Sequence, residues 1–130
     1  MIRIAIVDDS GCARMFIQKC LEIIGLKDAT FIEAANGKEA LEKMKETPVD
    51  LLITDLSMPV MDGEALLKWV KGSPELKELP VLVISSAGNP AREEKLLALG
   101  AMAVLAKPIS PVTLLHTLEP FLDAKEENNA

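Results

Sequence analysis

The chain has 130 residues and a net charge of −6. This length suits a single domain that buries a substantial core and needs no disulfide or structural metal to be stable. The negative charge argues against general nucleic-acid binding, which needs a basic surface to neutralise phosphates. No apolar run approaches the ~20 residues of a membrane span.

The two cysteines, Cys12 and Cys20, lie on one predicted helix. They are about 12 Å apart along its axis, too far for a disulfide. They are interpreted as small apolar core residues of a reducing compartment. We therefore expect a cytoplasmic protein that contacts neither nucleic acid nor membrane directly.

Apolar segments of two kinds alternate along the chain. Short aliphatic runs predict strands buried on both faces of a parallel sheet. Between them, apolar residues at helical spacing predict amphipathic helices, with Asn36 and Ser110 as N-caps. The last of these helices is predicted to face inward with Leu114, Leu115, Leu118 and Phe121. The predicted strands cover residues 2–7, 29–34, 51–53, 81–84 and 103–106.

Five strands, each followed by a helix through short connections, predict one architecture. Right-handed crossovers place helices on both faces of a five-stranded parallel sheet. The sequence therefore predicts an α/β, flavodoxin-like, doubly wound (βα)5 domain with strand order 2-1-3-4-5. Residues 1–123 are predicted to form this domain, and residues 124–130 a polar, disordered tail.

Polar side chains end four of the predicted strands. Asp8 and Asp9 follow the first, Asp55 the third, Ser85 the fourth and Lys107 the fifth. Open parallel sheets bind ligands outside the carboxyl ends of their strands, so we expect these residues to converge at one edge. Any one of them has an ordinary explanation as a turn or cap residue. Their joint placement points to a functional site.

The chemistry of this cluster favours a metal ion and a phosphoryl group. Three carboxylates at close range repel one another unless cations lie among them. Lys107 supplies one positive charge, and Mg²⁺ suits oxygen ligands of this kind. Phosphoryl transfer needs a nucleophilic oxygen, a metal and fixed donors, roles that Asp55, Mg²⁺, Lys107 and Ser85 can fill.

The segment after Asp55 is predicted to be a loop that holds the site in shape. Pro59 fixes its own φ angle, and Gly63 is expected to permit a positive φ before the next helix.

The sequence resembles the receiver domain of two-component response regulators, and is most similar to the single-domain chemotaxis type. The resemblance extends over residues 1 to about 123. The residues that carry it are Asp8-Asp9, Asp55, Met58-Pro59, Asp62-Gly63, Ser85 and Lys107-Pro108.

The resemblance implies a role for each residue of the cluster. Asp55 would accept a phosphoryl group from a sensor histidine kinase and form an acyl phosphate. Asp9, Asp55 and the backbone carbonyl of Ser57 would ligate Mg²⁺ directly, and Asp8 would act through a water molecule. Lys107 would pair with the phosphoryl oxygens. The chain would then be a signalling phosphoprotein that sheds its own phosphoryl group, and not a turnover enzyme.

The resemblance also implies how a signal would leave the domain. Ser85 would be the switch hydroxyl, and the Lys107-Pro108 peptide bond would be cis. A downstream target protein would bind the face of the fourth helix, fifth strand and fifth helix, where phosphorylation-dependent dimerisation is also possible. Val104 stands where the family usually has a switch aromatic. We therefore expect backbone and loop movement to carry the output, with Val104 only packing.

Other functions remain open at this point. A flavodoxin-type electron carrier shares the architecture, although Asp8 and Asp9 would repel a flavin phosphate. A phosphatase with an aspartyl-phosphate intermediate shares the nucleophile, although it normally places that residue after the first strand. A third alternative is a scaffold that binds partners without phosphorylation. Absorbance near 450 nm would indicate the first, and turnover of a phosphate ester the second.

Overall fold

A computed structural model describes residues 2–86 and 89–129 of the chain. Five strands and five helices alternate along it, as predicted. The strands are β1 (Arg3–Val7), β2 (Thr30–Ala34), β3 (Leu51–Asp55), β4 (Val81–Ser85) and β5 (Ala103–Ala106). The helices are α1 (Gly11–Leu21), α2 (Gly37–Glu46), α3 (Gly63–Gly72), α4 (Pro90–Ala98) and α5 (Pro111–Asn129), with a π-helical turn at Glu22–Leu26 after α1.

The strands form one parallel sheet in the order β2-β1-β3-β4-β5. This is the predicted order, and it makes β1 and β3 neighbours at the centre of the sheet. Val7 pairs with Thr54, and Asp55 pairs with Ile84. The ends of β1, β3 and β4 consequently lie at the same edge.

Alternation along the strands divides the core into two layers. Residues such as Ile4, Ile6 and Ile53 face α1 and α5, while their neighbours Ala5 and Val7 face α2, α3 and α4. Successive side chains of a strand point to opposite faces, so a strand between two helical layers is apolar throughout. This arrangement explains why the central strands appear in the sequence as continuous apolar runs.

The helix starts follow the predicted caps. Asn36 Oδ1 accepts a hydrogen bond from the Glu39 N–H at 2.9 Å, and Ser110 Oγ accepts one from the Thr113 N–H at 3.2 Å. Both side chains satisfy backbone donors that the first turn of a helix leaves unpaired.

Three expectations about individual segments differ from the structure. Cys20 is buried, but Cys12 is exposed on the first turn of α1. Leu115, predicted to face inward, is exposed because the helical repeat places Leu114 and Leu118 against the sheet. The segment predicted as a disordered tail continues α5 through Asn129. There Lys125 donates to Asp50 Oδ1 at 3.1 Å, tying the helix to the start of β3.

Among residues 2–86 and 89–129, no helix is long and apolar enough to span a membrane.

Candidate functional site

The three predicted carboxylates meet at the carboxyl edge of the central strands. Asp55 is the last residue of β3, and Asp8 follows directly after β1. One carboxylate oxygen from each of Asp8, Asp9 and Asp55 lies within 4.8 Å of the other two. Asp8 and Asp55 are buried, whereas Asp9 is exposed at the rim. The parallel register of β1 and β3 therefore creates the cluster that the sequence predicted.

Contacts from Ser10 and from Arg14 on α1 fix both the side chain and the backbone carbonyl of Asp8. The Ser10 N–H donates to Asp8 Oδ1 at 2.9 Å, and the Arg14 guanidinium donates to the Asp8 carbonyl at 2.6 Å. Ser10 also caps α1, because its hydroxyl accepts from the Ala13 N–H at 3.2 Å. These contacts aim the second carboxylate oxygen of Asp8 into the cluster.

Lys107 brings a positive charge to the carboxylates from the end of β5. Its Nζ lies 2.9 Å from Asp55 Oδ1 and 4.0 Å from Asp8 Oδ2. The backbone N–H of Lys107 donates to the Ser85 carbonyl at 2.8 Å, and the peptide bond between Lys107 and Pro108 is cis. Burial disfavours the ammonium charge, but the hydrogen bond to Asp55 and the attraction of the carboxylates outweigh it. The pKa of Lys107 therefore lies above its usual 10.5.

Asp8 Oδ2 is the atom that most strongly indicates a cation site. Within the described chain it is a buried oxygen that accepts no hydrogen bond. Burial is the main cause that raises the pKa of Asp8 above its usual 3.8, and the charge of Asp55 adds to it. The Ser10 hydrogen bond and Lys107 oppose the shift only in part. A hard dication with oxygen ligands would reduce the repulsion among the three carboxylates and would give Asp8 Oδ2 a partner. The donor set therefore fits Mg²⁺.

The loop after β3 is shaped by close backbone contacts. Gly63 does not adopt the positive φ that was predicted; among the described glycines only Gly25 and Gly100 do. A Cβ on Gly63 would lie 2.3 Å from the carbonyl oxygen of Asp55, so glycine is needed because α3 starts against that carbonyl.

A strained residue lies in the same loop. The backbone angle φ of Val60 is 67°, and the Met61 N–H donates to the Pro59 carbonyl at 2.7 Å across it. This is the pattern of a strained γ-turn. Pro59, at its start, is exposed.

A cleft of about 270 Å³ opens beside Asp55 and Lys107. The predicted residues Ser57, Ser85 and Val104 all line it. Among the described residues, no hydrogen bond joins the Ser85 hydroxyl to Asp55, although both line the cleft.

The cleft also contains residues that the sequence analysis did not select. Asn89 and Arg92 line it from the first turn of α4. The Asn89-Pro90 pair repeats the cap-then-proline pattern of Ser110-Pro111, and that signal could have located this helix start.

The relatives of this chain point to one family. Residues 4–119 match the family model of the response regulator receiver domain. The chain is 33% identical over 126 residues to the chemotaxis protein CheY1 of Helicobacter pylori, an alignment that covers 96% of this chain and 100% of that protein. It is 34% identical over 123 residues to a probable chemotaxis protein CheY of Rhizobium etli, covering 95% of this chain and 94% of that one.

A solved structure gives the same result. The chemotaxis response regulator CheY4 of Vibrio cholerae matches with a TM-score of 0.81 at 34% identity, over 92% of this chain and 98% of that chain. Neither the electron carrier nor the phosphatase finds support among these relatives. The chain belongs to the response regulator receiver domain family, and it is a CheY-type phosphoacceptor domain of two-component signalling.

Proposed function

We propose that Asp55 is the phosphoacceptor and that a sensor histidine kinase is the phosphodonor. The observation that carries this proposal is the environment of Asp55, a buried carboxylate at the end of β3. Its Oδ1 lies 2.9 Å from Lys107 Nζ, within reach of Asp8 and Asp9. Asp8 is also buried, but the Ser10 N–H holds one of its oxygens and Asp8 precedes a helix cap. Of the three clustered carboxylates, Asp55 is the one that lines the cleft in which a phosphoryl group has room.

The proposed reaction is a direct transfer between the histidine and Asp55. A carboxylate oxygen of Asp55 forms the new P–O bond as the P–N bond of the phosphohistidine breaks. The electron pair of the broken bond stays on the imidazole nitrogen, which takes up a proton. Lys107 orients Asp55 beforehand through the 2.9 Å contact with its Oδ1, and then pairs with the charge that gathers on the phosphoryl oxygens.

The proposed metal ligands are Asp8, Asp9, Asp55 and the backbone carbonyl of Ser57. Bound Mg²⁺ supplies neutralisation of the negative charge on the phosphoryl oxygens. The protein residues prepare this site: the loop contacts of Asp8 fix its direction, and burial of Asp8 and Asp55 keeps bulk water away from two of the three carboxylates.

The proposed switch lies on the other side of the cleft. Ser85 would close onto the phosphoryl group from the end of β4, and the loop after it would follow. Ala87 and Gly88 in that loop lie outside the described residues. Val104 lines the cleft, and Pro108 follows Lys107 through the cis bond. The proposed surface for a target protein is the face of α4, β5 and α5. A phosphorylation-dependent dimer through this face, and a cytoplasmic location, belong to the same proposal.

Intact-mass spectrometry after incubation with acetyl phosphate and Mg²⁺ tests the phosphoacceptor. We expect one added phosphoryl group, which is absent in Asp55→Asn and in EDTA. Asp62→Asn is the matched control, because Asp62 belongs to the same loop but caps α3 from an exposed position. An adduct that survives Asp55→Asn would overturn the assignment, as would loss of the adduct in Asp62→Asn alone.

A further inference from the structure

We propose that Arg92 is a second phosphoryl-binding cation, and that it stays paired with Glu64 until Asp55 is phosphorylated. This inference rests on the proposed function of Asp55. It adds a ligand for the phosphoryl group and a route by which that group moves α4.

The first observation is the position of Arg92. It lies in the first turn of α4 and lines the same cleft as Asp55 and Lys107. The Lys107 ammonium already contacts Asp55 and lies near Asp8. The phosphoryl group carries about −1.5 to −2 units of charge and three acceptor oxygens at neutral pH, in place of the single charge of the Asp55 carboxylate. Among the described residues that line the cleft, Arg92 is the cation besides Lys107, and it is available for the charge that Lys107 does not neutralise.

The second observation is how loosely Arg92 is held at present. Its Nη2 lies 3.7 Å from Glu64 Oε1, longer than a hydrogen bond. Lys68 and Lys95 lie closer to the same carboxylate, at 3.3 and 3.4 Å. Glu64 would therefore keep two cations if Arg92 left.

The charge state of Glu64 agrees with this ranking. Burial tends to raise the pKa of Glu64, but hydrogen bonds and charge from Lys68 and Lys95 bring it below the usual 4.5. The two lysines are the main groups that lower the Glu64 pKa, and both stay when Arg92 leaves, so releasing Arg92 leaves no unpaired carboxylate behind.

The third observation is the shape of the cleft. Its wall on β5 consists of Val104 and Ala106, two small apolar side chains that contribute no polar group. A water molecule takes up about 30 Å³ in the liquid. The cleft of about 270 Å³ thus has room for a phosphoryl group and a guanidinium that turns toward it.

A rotation of the Arg92 side chain toward the phosphoryl group would move α4. The Glu64 to Arg92 pair joins α3 to α4, and Lys95 makes a second link between the same helices. An arginine forms a planar, bidentate contact with phosphate oxygens, which fixes direction as well as distance. Moving Arg92 from Glu64 to the phosphoryl group would pull the first turn of α4 toward Asp55. The change of partner therefore couples phosphorylation to α4 without a switch aromatic.

Beryllofluoride, a phosphoryl mimic, tests this at equilibrium in the presence of Mg²⁺ and at fixed ionic strength. The signal of the bound fluoride in ¹⁹F NMR reports the affinity. We expect Arg92→Gln to weaken binding about tenfold, as loss of a charge-assisted contact implies, and Arg92→Lys to weaken it about threefold. Lys95→Ala is the matched control: it removes a Glu64 partner that does not line the cleft, and binding should change less than about twofold.

Two further readouts distinguish a contact from a general charge effect. The Arg92 Nε–Hε resonance should shift when beryllofluoride binds to the wild-type protein. Glu64→Gln should tighten binding about two- to threefold, and only when Arg92 is present. An unchanged affinity in Arg92→Gln, an unmoved resonance, or equal losses in Arg92→Gln and Lys95→Ala would each overturn the role of Arg92.

Failure of the proposed function would look different. If the wild-type protein binds no beryllofluoride, or Asp55→Asn binds it as well as wild type, the assignment of Asp55 fails and this inference fails with it. If Asp55-dependent binding is normal and indifferent to Arg92, only this inference is wrong.

Discussion

The contact between the start of α3 and the carbonyl of Asp55 predicts that Gly63→Ala damages both stability and phosphorylation. An added Cβ would lie 2.3 Å from the Asp55 carbonyl oxygen, 2.9 Å from the Leu56 Cα and 3.1 Å from the Asp55 carbonyl carbon. All three neighbours are backbone atoms, so no flexible side chain can move aside. Ordinary contact begins at 3.4 Å, so α3 or the end of β3 must shift by about an ångström.

The expected cost follows from two opposing effects. Overpacking of this kind destabilises a protein by about 1–3 kcal/mol. Alanine recovers roughly 0.5–1 kcal/mol, because it is a better helix residue than glycine. We therefore expect Gly63→Ala to lower the free energy of unfolding by about 1–2 kcal/mol, or the Tm by about 4–8 °C.

Thermal and urea unfolding measure the first effect, and the rate of phosphorylation by acetyl phosphate measures the second. Gly72→Ala is the matched control, because Gly72 ends the same helix with no atom within 4 Å of its added Cβ. The control should be neutral or slightly stabilising and should leave the phosphorylation rate unchanged. If the two variants behave alike in both assays, the close contact does not constrain the site and the reasoning is refuted.

Three other variants test individual contacts. Asp8→Asn should raise the free energy of unfolding by on the order of 1 kcal/mol at neutral pH without metal, since burial penalises the Asp8 charge. A raised carboxyl pKa costs stability in full above the raised value and not at all well below the usual 3.8, so the gain should shrink as pH falls from the raised value through 3.8. Urea unfolding across pH checks this, with Asp28→Asn at an exposed position as the comparison variant. Val60→Gly should stabilise the fold by up to about 1 kcal/mol, because φ is 67° and the side chain is 78% exposed; a lower Tm would contradict this. Lys125→Ala should cost about 0.5 kcal/mol at neutral pH. Burial tends to raise the pKa of Asp50, but hydrogen bonds from the Arg3 N–H and Lys125 bring it below 3.8. The difference should therefore disappear as pH falls through that lowered value, and a loss that persists there would show that Lys125 acts otherwise.

Much of the fold was accessible to sequence reasoning because its signals are local. Aliphatic runs, caps such as Asn36 and Ser110, and prolines each depend on a few neighbouring residues. The order of the strands then followed from the handedness of crossovers, which leaves few arrangements for five strand-helix units. The placement of Asp8, Asp55 and Lys107 at one edge followed from that order.

Two errors of the sequence analysis, at Gly63 and Lys125, have a different cause. Gly63 was explained by its φ angle, whereas the structure explains it by the approach of a carbonyl from another segment of the chain. Lys125 was assigned to a disordered tail because the local composition is polar, yet its partner Asp50 lies far away in the sequence. Contacts of this kind leave no trace in a short window of residues.

The type of fold, the edge at which the polar residues gather and the chemistry they share follow from the order of residues alone, because periodicity and strand order are local and topological properties. Two features depend on the folded arrangement: Asp8 Oδ2 is buried without a hydrogen-bond partner in the described chain, and Glu64 pairs with three cations. The burial of Asp8 and the distances around Glu64 depend on how the helices pack against the sheet and one another. That packing results from many contacts together, which no single stretch of the chain specifies.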